Sequence, residues 1–319
     1  MTTPRHSRVL PVWLALVLAV SAGAFMTTQA RINGQLALEL GDGFVAASLS
    51  FGLGFLVLCI VLLAFPRGRR GFTAIRNDIA ARTIPWWFTL AGSAGAGYVL
   101  SQAMVVGVTG VALFTVAVVA GLTIGSVLLD LWGVGPAGKR PLTPRRIIGA
   151  VLGLIAVIVG VLGQPVQTNE LFLLIMPLLF GVAVAWQQAA NGRMTMTAGT
   201  PWTSTFLNFG VGTGILLIAT AIHALQAGLP TSFPGEWWLY LGGPVGIVFI
   251  AANAVVVRAL GVLVLSLGTI AGQLVMAVIF DVVSPAGHPL VESTLVGTAV
   301  IFVAVIVASM PAKKVLAQE

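Results

Sequence analysis

The chain has 319 residues, of which 58% are hydrophobic and only 8% charged, with a mean hydropathy of +1.04 and a formal net charge of +7. A soluble domain carries roughly 25% charged residues, so this chain cannot cover a water-facing surface, and the composition excludes soluble folds in favour of a polytopic membrane protein. The single Cys59 excludes an intrachain disulfide.

A bilayer core of about 30 Å takes roughly 20 apolar residues per helix. Taken in chain order, the apolar runs predict an all-α membrane protein with ten transmembrane helices, over residues 11–31, 44–65, 84–106, 110–131, 146–163, 171–191, 202–225, 236–257, 261–281 and 290–310. The first run, led by Arg5 and Arg8, also has the shape of a signal peptide. Its match to the sixth, set out below, argues that it is retained.

Basic residues mark the cytoplasmic side of a membrane protein. With the N-terminus inside, 15 of the 16 lysines and arginines fall on the inner side and only Arg31 outside. Both termini are therefore expected in the cytoplasm, and the basic balance reads as topology rather than nucleic-acid binding.

The sequence repeats itself. A shift of 158 lays Gly23 on Gly181, Gln29 on Gln187, Asn33-Gly34 on Asn191-Gly192, and Phe51-Gly52 on Phe209-Gly210. A shift of 151 lays Trp86-Trp87 on Trp237-Trp238, Gly110 on Gly261, Ala120-Gly121 on Ala271-Gly272, and Asp130 on Asp281. Two units follow, 1–166 and 167–319. Five helices per unit is an odd number, so the second must cross the membrane upside down, the inverted-repeat plan of secondary transporters.

These residues carry a resemblance. Gln29-Ala30-Arg31-Ile32-Asn33-Gly34 followed by Ser50-Phe51-Gly52, with Trp186-Gln187-Gln188 through Asn191-Gly192 in the second half and Leu260-Gly261 through Gln273 to Asp281, is similar to the drug/metabolite transporter superfamily. Within it the chain resembles the YdcZ-type, EamA-like inner-membrane exporters, in a fused ten-helix form. The resemblance implies a bacterial inner-membrane carrier.

Polar side chains inside spans are costly and so are functional candidates. Gln29 and Asn33 stand one helical turn apart, as do Gln187 and Asn191, which puts two amide pairs on matching helix faces. Amides donate and accept, which suits a polar or zwitterionic ligand. The competing reading is that Asn-Gly ends the helix. Gln102 and Asn253 form a second equivalent pair, with Tyr98 one turn before Gln102, and Trp186 is a candidate cavity wall. Gln188, Asn208 and Gln273 occur in one half only and fit either an asymmetric substrate or packing. Arg31 could hold an anionic group, pair with Glu39 or Asp42, or snorkel to the interface. Asp130 and Asp281, at opposite faces, are candidate gate or coupling residues, or helix ends solvated with a partner. The middles of the spans hold no Asp or Glu, which weighs against proton exchange on a buried carboxylate.

His6, His223 and His288 are isolated, so no metal site is expected, and there is no cofactor fingerprint. The expected function is a secondary carrier, an exporter of a small polar or amphipathic metabolite, with a site formed by helices one, three, six and eight. Its expected partners are that small molecule and membrane lipids, with no nucleic acid, and it works as a monomer or homodimer. A lipid or lipid-carrier flippase is the variant. A membrane-embedded enzyme on lipid-linked substrates is the rival, and it lacks clustered acids or histidines.

Overall fold

The computed structural model describes residues 10–160, 171–283 and 292–310, and these residues form helices with no strand among them. The helices are α1 (Val12–Leu40), α2 (Gly43–Ala64), α3 (Pro66–Ala80), α4 (Gly92–Trp132), α5 (Pro144–Gly160), α6 (Ile175–Ala198), α7 (Pro201–Ala227), α8 (Gly242–Val283) and α9 (Glu292–Ser309). Six helical segments among the described residues are long and apolar enough to cross a membrane. Large apolar side chains such as Trp13, Leu63, Ile218 and Val303 are exposed, as they are where the outer surface meets hydrocarbon rather than water.

Two helix ends differ from the expectation. The Asn33-Gly34 and Asn191-Gly192 pairs lie inside α1 and α6, which run on to Leu40 and Ala198. The stops are instead Gly41 and Gly199, equivalent under the shift of 158, with left-handed φ of 65° and 69° that only glycine adopts without strain. Helix α1 persists because Leu36 and Leu40 pack on Val45, Ala46 and Leu239. At 29 residues it is about 43 Å long, more than a bilayer core.

Helix α2 begins where the Asp42 carboxylate accepts the backbone N–H groups of Phe44 and Val45, at 2.8 and 3.1 Å. It ends at Phe65, which Pro66 holds extended. Helix α3 is an addition to the predicted elements. It is too polar to read as a span, yet Gly68, Gly71 and Ile75 are buried, Thr203 donates to the Gly68 carbonyl at 2.7 Å, and its arginines 67, 69, 70 and 76 face outward. That is the pattern of a helix lying along an interface.

Predicted spans three and four merge into the one helix α4 from Gly92 onward, and eight and nine into α8 from Gly242 onward. Neither is straight. The Tyr98 and Phe114 rings are 5.8 Å apart, whereas sixteen positions of straight helix would separate them by about 24 Å. Helix α4 therefore doubles back between Tyr98 and Phe114. In α8 the turn is Gly261, with φ 77° and ψ 174°. Gly242 and Gly272 both meet α1, at Gln29 and Val20, within about 14 Å of its length, while thirty residues of straight helix would separate them by about 45 Å. Each long helix is thus a pair of arms.

The second arm of α8 is buried on every side from Gly261 to Gly272. Apart from Ser266 and Thr269 its sequence is apolar on every face, which is what a helix enclosed by other helices requires. Close backbone approach holds it. A methyl on Gly23 would strike the Thr269 carbonyl, and one on Gly272 would strike the Val20 carbonyl. The equivalent contacts recur: Gly181 against Val118, and Gly121 against Leu178. Gly54 against Phe209 is likewise repeated by Gly212 against Phe51. In lipid, where burial of apolar surface does not drive helices together, this close packing is the main adhesive.

Candidate functional site

Helices α1, α2, α6 and α7 and the first arms of α4 and α8 surround a cavity of ≈ 90 Å³. Its walls pair residues that answer one another under the sequence shifts: Gln29 with Gln187, Phe51 with Phe209, and Tyr98 with Phe249. Among the described residues no charged side chain lines it.

The paired amides hold different partners. Gln29 Nε2 donates to the Gly242 carbonyl at 2.9 Å, and Gln187 Nε2 donates to Asn208 Oδ1 at 3.2 Å. Asn208 stands where the first half has Ser50, whose hydroxyl has no hydrogen-bond partner. Asn191 and Asn253 also line the cavity, both buried, and no donor reaches either Oδ1. An unsatisfied buried acceptor is costly, so these two carbonyl oxygens fit a ligand that brings N–H or O–H groups. The aromatic walls supply apolar contact, with Phe51 and Phe209 5.3 Å apart.

Of the nine predicted binding residues the cavity gathers five: Gln29, Gln187, Asn191, Asn253 and Tyr98. Gln102 is half-buried but lies off the lining. Asn33 sits beside Gly242 and Ser50 instead. Trp186 stacks on Trp87 with centroids 5.8 Å apart and packs in the core rather than walling the cavity, because its ring lies against the turn that precedes α4. Arg31 is exposed with its guanidinium 4.5 Å from the centre of the Phe280 ring, so its cation meets an aromatic face instead of Glu39 or Asp42. The aromatic walls Phe51, Phe209 and Phe249 were not among the predicted site residues. Their signal was the repeat itself, which already aligned Phe51 with Phe209.

A polar thread leaves the cavity through Gln188. Its Oε1 accepts from Ser266 Oγ at 3.0 Å, and the Ser266 and Ser126 hydroxyls are 2.9 Å apart. One turn beyond Ser126, the buried Asp130 carboxylate accepts the N–H groups of Val262 and Leu263 at 2.9 and 3.2 Å and pairs with Arg146. Asp130 therefore caps the second arm of α8 from the opposite half of the chain, replacing the cap that Gly261 cannot give. It is an anchor rather than a solvated helix end. The side chain of Asp281, its equivalent, lies outside the described residues, as do Arg5, Arg8, Lys313 and Lys314.

A sequence family described as "Putative inner membrane exporter, YdcZ" matches the chain over residues 14–159 and again over 172–307. No curated protein matches it in sequence. A solved structure described only as "Crystal structure of protein" is similar in fold, with 21% identity, 93% of this chain and 96% of that chain covered, and a TM-score of 0.65.

Proposed function

The chain belongs to the YdcZ family of inner-membrane exporters, and from that premise we propose that it is a secondary transporter that moves a small, neutral, amphipathic metabolite by alternating access. The observation that carries this reading is the cavity whose walls are equivalent residues of the two repeats. Residues 1–166 and 167–319 act as two inverted five-helix units with both termini in the cytoplasm, and ten helical arms cross the membrane. Two units of one design can exchange conformations and so open one site to either side in turn.

The lining supports a neutral cargo that donates hydrogen bonds. Charge is disfavoured in a cavity without a counter-charge, and the free Asn191 and Asn253 carbonyl oxygens favour a hydrogen-bond donor. The seam between the second arms of α4 and α8 serves as the inner gate. Asp130 ties its end, and Ser126, Ser266 and Gln188 connect it to the cavity. A substrate that takes the Gln188 amide pulls on the same thread.

Proteoliposomes test the proposal. Efflux or counterflow of one neutral compound from a metabolite pool is expected with the wild type and reduced about tenfold with Gln29→Ala plus Gln187→Ala. Equal flux in that double variant would remove the cavity from the transport path. Turnover of a lipid-linked substrate without flux would favour the enzyme, and stabilisation by one lipid alone would favour the flippase.

A further inference from the structure

A second pocket, of ≈ 230 Å³, lies away from the transport cavity, between the start of α5, the Gly261 turn and the end of α9. Its polar side is formed by Arg140, Thr143 and Arg146, and its apolar side by Leu260, Val264 and Met310. The two guanidinium groups share one carboxylate among the described residues. Arg146 pairs with Asp130, and Arg140 donates through Nη2 to the Ala259 carbonyl at 2.9 Å. Arg146 is buried, and its Nε has no acceptor.

The charge balance is therefore incomplete. Burial pulls the Arg140 guanidinium below its ordinary range; Asp130 pushes it back up, and Arg146 adds to the lowering. A second anion in the pocket would relieve that strain. The N-terminal end of α5, at Pro144, lies beside Thr143 and adds the partial positive charge of a helix start.

We propose that this pocket binds the phosphate of an anionic phospholipid headgroup, with Arg140 and Arg146 on the phosphate and the acyl chains leaving along Leu260, Val264 and Met310. Basic pockets between membrane helices take such headgroups. The ligand would touch both arginines that flank the Asp130 cap and the Gly261 turn, so lipid composition would tune how firmly the inner end of α8 is held. A free phosphate shares the chemistry but makes no use of the apolar wall.

Equilibrium binding of fluorescent phosphatidylglycerol to the full chain in a neutral detergent tests the site, with phosphatidylcholine and inorganic phosphate as competitors. One saturable site is expected, preferring phosphatidylglycerol over phosphatidylcholine by about fivefold, the effect of one basic residue at an anionic headgroup. Arg140→Gln should weaken it by a similar factor. Met310→Trp, which fills the slot without changing a charge, should weaken it too, and it covers the case in which the arginine variant misfolds. Displacement by inorganic phosphate, with no weakening by Met310→Trp, would overturn the lipid assignment in favour of free phosphate. Unchanged binding in both variants would overturn the site altogether. Gln29→Ala plus Gln187→Ala should leave lipid binding intact, which keeps this test separate from that of transport.

Discussion

Gln29 and Gln187 occupy the same position in the two repeats and line the same cavity, yet Gln29 bonds a backbone carbonyl of α8 and Gln187 bonds the side chain of Asn208 on α7. The halves are alike in frame and unlike in detail, so the two amides are not interchangeable. Each single alanine variant should lower transport, and the pair should lower it by about tenfold, as two hydrogen bonds of roughly 0.5–1.5 kcal/mol imply. Gln187→Ala should also cost more stability than Gln29→Ala, because it leaves the fully buried Asn208 amide without its partner, read as a lower Tm in detergent. Gln29→Ala with the larger Tm loss would contradict this assignment.

Asp130 gives a second prediction. Asp130→Ala removes the cap on Val262 and leaves Arg146 buried without its carboxylate, and breaking a buried pair from one side costs about 3–5 kcal/mol. The variant should express poorly or melt early. Asp130→Asn combined with Arg146→Met keeps a capping side chain and removes the orphaned charge, so its Tm should recover most of the loss. Failure to recover would mean that the ion pair, rather than the cap, holds the turn.

Glycine contacts give a third. Gly23→Ala and Gly181→Ala should be similarly damaging, because each methyl would strike a backbone carbonyl of the helix packed against it. Gly34→Ala, with nothing within 4 Å of the added methyl, should be neutral or stabilise α1 by up to about 1 kcal/mol. Thermal melts of the three variants decide it.

The proposed gate can be locked. In a Cys59→Ala background, Ser126→Cys with Ser266→Cys places two thiols where hydroxyls now stand 2.9 Å apart. Oxidation should form the disulfide and stop transport, and a reductant should restore it. Full transport by the cross-linked protein would rule out movement at this seam.

Arg31 gives a negative prediction. Its cation lies over Phe280, outside the cavity lining, so Arg31→Gln should leave substrate affinity unchanged and cost no more than about 1 kcal/mol of stability. A tenfold loss of affinity, about 1.4 kcal/mol, would return Arg31 to the site.

Much of this frame was legible in the sequence. The run lengths gave the apolar helices, and the repeat picked out the glycines that touch, because a close backbone approach admits no other residue. It also picked out the amides that reach the cavity. Three things were not legible. Asn33-Gly34 reads locally as a stop, but packing of Leu36 and Leu40 carries the helix past it. Helix α3 is held by buried glycines and by hydrogen bonds from Thr203 and Thr197, which no hydropathy pattern announces. Trp186 and Gln187 are neighbours on one helix, and only the position of the adjoining Trp87 decides which faces the cavity and which the core.

The contact of Gly23 with Thr269 bears on how the chain is made. The two residues are 246 positions apart, so α1 emerges from the ribosome long before the arm that seals it. Until that arm arrives, the notch at Gly23 can be filled only by lipid. Final closure is therefore a late event, and each half needs the other to finish its own first helix. Two polypeptides divided between α5 and α6 should assemble when co-expressed, while either one alone should be left for quality-control proteolysis.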